Sequence, residues 1–405
     1  MFAGLNKYQR FVLIIAWLGW VFDVMEASLF GLTKQPMLKE MLGEAGYKLH
    51  GTFWEGWGHT SMLLGWSLGG LIFGIVADRW GRSKTLILTV GLYCLFTGLT
   101  SLCQSPQQIL VARFLTGLGI GGEWAAGAAL IAETVPNEFR ARAAAFLQTA
   151  AAIGSIIGVF VNMSVGNLNW RWVYLAGIIP AVICLVARCK LEPDQPTPQE
   201  RKSNPFLSLV YTQHYNKNLL VAVIIGVVGI TGGGILPFWL PNLVKEAVPA
   251  SDLTYWKNIS MIVLHIGTFA GVIVFPPLTD RFGRRPMFAI FGVMAGLLLF
   301  FTATSAKSLT MILIFAPLTS FFALGLTAGF GLYFTELFAH RFRATGSGIA
   351  YNSARILSAP IPIWIGTAAT TIGVAGAIGI VASIYILMLV ALIFAPETRG
   401  KPLES

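Results

Sequence analysis

The 405-residue chain is 55% hydrophobic and only 11% charged, with a mean hydropathy of +0.71 and a formal net charge of +10. Water-soluble domains carry about 25% charged residues, so the composition excludes a soluble globule and most of the surface must face lipid. The basic residues are scattered over many short loops, which argues against a nucleic-acid partner and assigns the excess charge to topology and anionic headgroups.

A bilayer crossing needs ~20 apolar residues. Twelve stretches qualify, at 11–32, 57–77, 84–104, 107–132, 142–165, 172–189, 219–243, 258–278, 286–305, 308–335, 345–369 and 373–395. Segments this long and apolar are helices, because helices satisfy their own backbone in lipid, whereas barrel strands are short and alternating. The first run continues from Phe11 into Asp23 without a small-residue cleavage site, so it is a retained helix and not a signal peptide. An outer loop at 33–56 is expected next, its Trp54, Glu55 and Trp57 lying at the membrane interface, with capping of the outer mouth as the alternative. The prolines of the polar stretch beginning Glu192-Pro193-Asp194 rule out one continuous helix there. The chain therefore divides into a six-helix bundle at 1–190, a cytoplasmic linker at 191–218 and a second six-helix bundle at 219–405. With both termini inside, Arg79, Arg82, Arg140, Arg142, Arg281, Arg284, Arg343 and the linker's basic residues lie in the cytoplasm, while Lys34, Lys39, Lys48, Arg171, Lys245, Lys257 and Lys307 lie outside. Cys94, Cys103, Cys184 and Cys189 show no ligand-like spacing and read as small core residues, with no metal and no cofactor expected.

The halves repeat each other. Asp78-Arg79-Trp80-Gly81-Arg82, then Glu133 and Arg140, recurs about 200 residues later as Asp280-Arg281-Phe282-Gly283-Arg284, then Glu336 and Arg343. Paired halves in a membrane protein point to a transporter that rocks around a central site. Gly81 and Gly283 permit the tight turns. The acids and arginines at the inner helix ends are suited to ion pairs that hold a gate, with plain cytoplasmic anchoring as the alternative.

On these residues the chain resembles the major facilitator superfamily. Gly74 to Lys84 is similar to that superfamily's signature between helices 2 and 3, and Pro277 to Arg285 is its echo between helices 8 and 9. Pro396-Glu397-Thr398-Arg399-Gly400 resembles the C-terminal signature of the sugar porters. The run from Arg113 to Glu123, with Glu133 and Pro136, is similar to proton symporters of organic anions, including sialate and aromatic-acid carriers. The resemblance implies an all-α membrane protein of twelve helices in two pseudo-symmetric six-helix bundles, acting as a monomer in a bacterial inner membrane. Its partners would be protons, the lipid bilayer and a small-molecule substrate.

Charges within hydrocarbon cost several kcal/mol unless paired or hydrated, so they are functional candidates. By a rise of ~1.5 Å per residue, Asp23 on helix 1 and Arg113 on helix 4 reach similar depths. They are expected to pair and to couple proton binding to transport, a static ion pair being the alternative. Proton-coupled sugar porters resemble this arrangement. Glu26, three residues on, is either a second protonation site or a rim residue. Glu123 lies deeper on helix 4 among Gly117, Gly119, Gly121 and Gly122, and serves either the pathway or helix packing. Arg355, roughly 15 Å into helix 11, is the candidate anchor for a carboxylate, with Tyr351, Asn352 and Ser358 as neighbours; a cavity arginine paired with Asp23 or Glu26 of the other half is the alternative. His265, Gln148 and Asn162 are further polar candidates, for each of which packing is an equal alternative. Gly232-Gly233-Gly234 with Pro237 is expected to soften helix 7, and Trp239 to line an outer vestibule. Nothing combines nucleophile, base and orienting group, so an enzyme is not expected. The expected activity is proton symport of a monocarboxylate or acidic sugar by alternating access. A neutral sugar or nicotinamide-like solute, or an efflux or exchange carrier, is the alternative.

Overall fold

The structure, a computed structural model, describes residues 4–166, 168–188, 213–338 and 343–399. Within those helices the side chains of Asp78, Arg82, Glu133, Arg140 and Arg343 lie outside the described set, as does most of the expected linker. The chain forms two compact units, Met1–Ser203 and Asn204–Ser405.

The first unit contains α1 (Lys7–Trp80), α2 (Arg82–Thr100), α3 (Pro106–Thr134), α4 (Asn137–Val165) and α5 (Trp170–Arg188). The second contains α6 (Gln213–Ala247), α7 (Leu253–Phe282), α8 (Arg284–Thr304), α9 (Leu309–Gly325) and α10 (Phe330–Glu336), the last two joined by a 3-10 turn. It continues through α11 (Arg343–Ser358), α12 (Pro360–Val381) and α13 (Tyr385–Phe394). The described helices include eight segments long and apolar enough to cross a bilayer. Two of these, Lys7–Ala77 and Gly346–Phe394, are each a pair of crossings joined at a reversal. With α3 and α5 this is the twelve-helix plan expected.

The reversals follow from glycine. Gly43 inside α1 and Gly373 inside α12 have φ of 69° and 74°, and Gly81 and Gly283 have 95° and 104°. Side-chain-bearing residues avoid this region, so glycine alone turns the chain at no steric cost. Gly43 divides α1 into limbs at 7–42 and 44–80 that pack on each other, and here the structure corrects an expectation. Residues 33–56 are helical, not an outer loop. Each limb is roughly 54 Å long at 1.5 Å per residue, well beyond a ~30 Å hydrocarbon core. The charges that lowered local hydropathy there are satisfied inside the protein: Lys34 and Glu55 form an ion pair at 3.0 Å with both side chains wholly buried.

The helices approach most closely where side chains are absent. A Cβ on Gly121 of α3 would stand 1.9 Å from the carbonyl oxygen of Trp66, and one on Gly117 2.4 Å from that of Met62. From the facing limb, Cβ atoms on Gly65 and Gly69 would stand 2.0 Å from the carbonyl oxygens of Phe114 and Leu118. Backbone contact of this kind replaces a hydrophobic drive that lipid does not supply. The second unit repeats it with the spacing of the loop motif: Gly267 and Gly271 of α7 would each place a Cβ 2.1 Å from a carbonyl oxygen of α9, those of Pro317 and Phe321. α6 runs unbroken through its triple glycine and Pro237. Trp239 is wholly buried, edge-on to Phe238 at 5.2 Å between ring centroids, so it does not line an open vestibule.

Candidate functional site

In the first unit, α3 carries Arg113 into the bundle opposite the first limb of α1. The guanidinium is wholly buried. Its Nη1 donates to Glu26 Oε1 at 2.6 Å, its Nη2 meets Met62 Sδ of the second limb, and its face covers the Phe30 ring at 5.1 Å. Asp23 is buried one turn away, 3% exposed. The depth argument placed Asp23 opposite the arginine, and the structure shows Glu26, three residues further along the same limb, bonded to it. The pair could not persist in hydrocarbon as separated ions, since an uncompensated buried charge costs several kcal/mol. Each group balances the other's charge, so loss of either charge would leave its partner uncompensated.

The other first-unit candidates are spread along α3 and α4. Glu123 is buried on α3, ten residues or roughly 15 Å from Arg113. Gln148, half-buried, and Asn162, buried, are fourteen residues apart on α4, roughly 21 Å. Gln148 adjoins Thr149, which accepts a 3.1 Å bond from Trp17 Nε1.

In the second unit, Arg355 and Tyr351 stand one turn apart on α11. The Arg355 Nη2 donates to the Tyr351 hydroxyl at 3.1 Å, and the guanidinium lies 4.4 Å from that ring's centroid. Tyr351 meets Phe330 at 6.3 Å, and Phe330 stacks on Phe334 at 4.8 Å. A cation held on an aromatic face keeps its in-plane donors, the geometry needed to grip a carboxylate. Asn352 donates 3.0 Å to the Gly348 carbonyl, leaving its own amide oxygen buried without a hydrogen-bond partner. His265 on α7 is buried with neither ring nitrogen bonded. Ser358 does not serve as proposed from sequence: it donates to the backbone carbonyls of Ala354 and Val227, at 2.7 and 3.3 Å.

Where α7, α8 and α10 end or begin in the second unit, part of the repeated motif assembles. Arg284 binds Glu336 through two bonds, Nε to Oε2 at 3.1 Å and Nη2 to Oε1 at 2.9 Å, and reaches Asp280 at 2.5 Å. Arg281 instead lies exposed, over the Phe282 ring at 5.2 Å. The arrangement includes residues to which sequence reasoning gave no role. Glu397 accepts from the backbone N–H of Arg284, Arg285 and Arg399 at 2.9, 3.0 and 3.0 Å, and Thr398 donates to Glu336 Oε2 at 2.5 Å. Burial pushes the Glu397 carboxyl up, but the backbone N–H groups at the start of α8 outweigh it and hold the group below its usual range. Their place in a recognisable C-terminal signature was the available clue. In the first unit the corresponding Asp78, Arg82, Glu133 and Arg140 side chains lie outside the described set; Arg79 is exposed and Gly81 makes the turn.

The family model of the Major Facilitator Superfamily matches residues 17–264, and that of "Sugar (and other) transporter" matches 194–405. The chain is 33% identical over 357 residues to the "Probable 4-methylmuconolactone transporter" of Cupriavidus pinatubonensis, a match covering 85% of this chain and 82% of that protein. It is 25% identical over 363 residues to the sialic acid transporter NanX of Escherichia coli, covering 87% and 85%. The fold matches an inward-open structure of the xylose transporter XylE of E. coli with a TM-score of 0.78 at 16% identity, over 98% of each chain.

Proposed function

The chain belongs to the major facilitator superfamily of membrane transporters, and from that premise we propose that it carries a small organic anion, a monocarboxylate or an acidic sugar, in symport with protons. Transport runs by alternating access across a bacterial inner membrane, with both chain termini cytoplasmic. One observation carries the coupled reading: the Glu26–Arg113 pair at 2.6 Å, buried on both sides at a depth where charge requires a partner. Glu26 is the proton carrier and Arg113 the group its protonation frees, with Asp23 one turn away on the same limb. Arg355, seated on Tyr351 with the unbonded His265 and Asn352 oxygen in the same unit, supports an anion anchor. The relatives named for a muconolactone and for sialic acid support this cargo class.

The test is uptake by the purified protein in liposomes, using a panel of labelled monocarboxylates and acidic sugars with neutral sugars beside them. An imposed inward proton gradient should concentrate an acidic solute, and Glu26→Gln should abolish concentration while sparing solute exchange at equal pH. Arg355→Ala should lower anion binding by about 100-fold, the order of one charge-assisted bidentate contact. Retained binding in that variant would assign a neutral solute instead.

A further inference from the structure

The Glu26–Arg113 pair uses only one rung of a longer polar ladder. On the second limb of α1, Glu55, Gly58, His59 and Met62 recur at three- and four-residue spacing and share one side of the helix. They face Glu26, Phe30 and Lys34 of the first limb, themselves four residues apart. Glu55 meets Lys34 at 3.0 Å. Gly58 lies so close to Phe30 that a Cβ there would stand 2.3 Å from the ring. Met62 touches Arg113. A second wholly buried acid–base pair therefore stands two turns, roughly 12 Å, along the limb from the first.

His59 lies between the pairs, half-buried, and the charges of both Lys34 and Arg113 bear on it. Tyr47 closes the far end, its hydroxyl donating to Glu55 Oε1 at 2.6 Å. From α5, Tyr174 meets Thr33 of the first limb at 3.1 Å. From α2, Tyr93 packs in the buried cluster around Met62. A buried ion pair adds little net stability over apolar side chains of the same size, so two in succession call for a role other than packing.

We propose that Glu55 and His59 form a proton relay serving Glu26. A proton taken up by the Glu55 carboxylate passes to the neutral His59 imidazole, and the imidazolium passes it to the Glu26 carboxylate, which then lets go of Arg113. Glu55 is left ionised and returns to Lys34; His59 is left neutral. The inference rests on the proton-coupled reading above.

The experiment needs no transported solute. Infrared difference spectra of the full-length protein in detergent, recorded after a rapid downward pH step, follow the carbonyl-stretch band of a protonated carboxyl; Glu26→Gln identifies the band belonging to Glu26. In His59→Asn, and in the double variant Lys34→Met/Glu55→Gln, that band should rise at least about tenfold more slowly than in the wild type, with unchanged final amplitude. The double variant removes both charges together, so neither is left buried alone. Wild-type rates in both variants overturn the relay. Reduced amplitude at wild-type rate also overturns it and makes the ladder an electrostatic support. If the wild type shows no band that Glu26→Gln removes, the proton-carrying role of Glu26 fails, and the relay with it.

Discussion

The two units share a scaffold and differ in where they keep their acids. Both pack consecutive crossings through glycine against backbone, at Gly65 and Gly69 in one and Gly267 and Gly271 in the other. The first unit buries Asp23, Glu26, Glu55 and Glu123 within its helices. In the second, Asp280 and Glu336 stand at inner helix ends and Glu397 beyond the last helix, while the interior is a chain of stacked rings from Phe288 through Phe330 to Phe334. Arg355 rests on that aromatic system. One packing solution thus tolerates two kinds of interior, because close backbone contact holds the helices and leaves side chains free to specialise. Under the proposed function, the acid-bearing unit handles protons and the aromatic unit holds the anion.

The sharpest way to break this contrast is to strip one partner from each interior. Arg113→Leu leaves Glu26 buried beside no cation and should cost about 3–5 kcal/mol in thermal melts, whereas Arg113→Leu with Glu26→Leu should recover most of it. Arg355→Met, which takes the guanidinium off the Tyr351 ring, should cost less, about 2 kcal/mol. Equal losses would end the distinction. The shared scaffold is tested next. Gly121→Ala and Gly271→Ala each drive a methyl into backbone and should each cost about 1–3 kcal/mol, while Gly234→Ala, with nothing within 4 Å of the new methyl, should melt like the wild type. A loss in one unit only would show that the packing is not common to both.

Smaller effects sharpen the inner end of the second unit. Glu397 is held below its ordinary range, so its contribution is complete at neutral pH and fades as pH falls through the carboxylate range. Glu397→Gln should cost about 1 kcal/mol at pH 7 and flatten the fall in melting temperature between roughly pH 5 and 3. Lys39→Ala should change the melt by less than about 0.5 kcal/mol, because its ion pair with Glu44 at 2.9 Å is largely solvent-exposed.

The twelve crossings and the repeat were legible in the sequence because hydropathy and motif spacing are local signals. The stretch 33–56 was not, since Lys34 and Glu55 read as polar wherever they stand and their mutual burial depends on a fold-back at Gly43. The partner of Arg113 was near the limit of depth arithmetic: Asp23 and Glu26 differ by roughly 4.5 Å along one face, less than the uncertainty in where a helix begins. The Arg284 cluster was half legible, its Asp280 and Glu336 through the repeat, its Glu397 only through contacts more than 100 residues apart in sequence.

The stiff hairpin that turns at Gly43 offers a practical handle. Its limbs are laced together by Phe30 against Gly58 and by Lys34 to Glu55, and Tyr47 braces Glu55 from the same limb, so the tip cannot fray independently of the helices below it. Leu49 near that tip is 67% exposed. A fluorophore attached there would move as a pointer fixed to its whole bundle, giving single-molecule recordings a reporter that leaves the charged interior undisturbed.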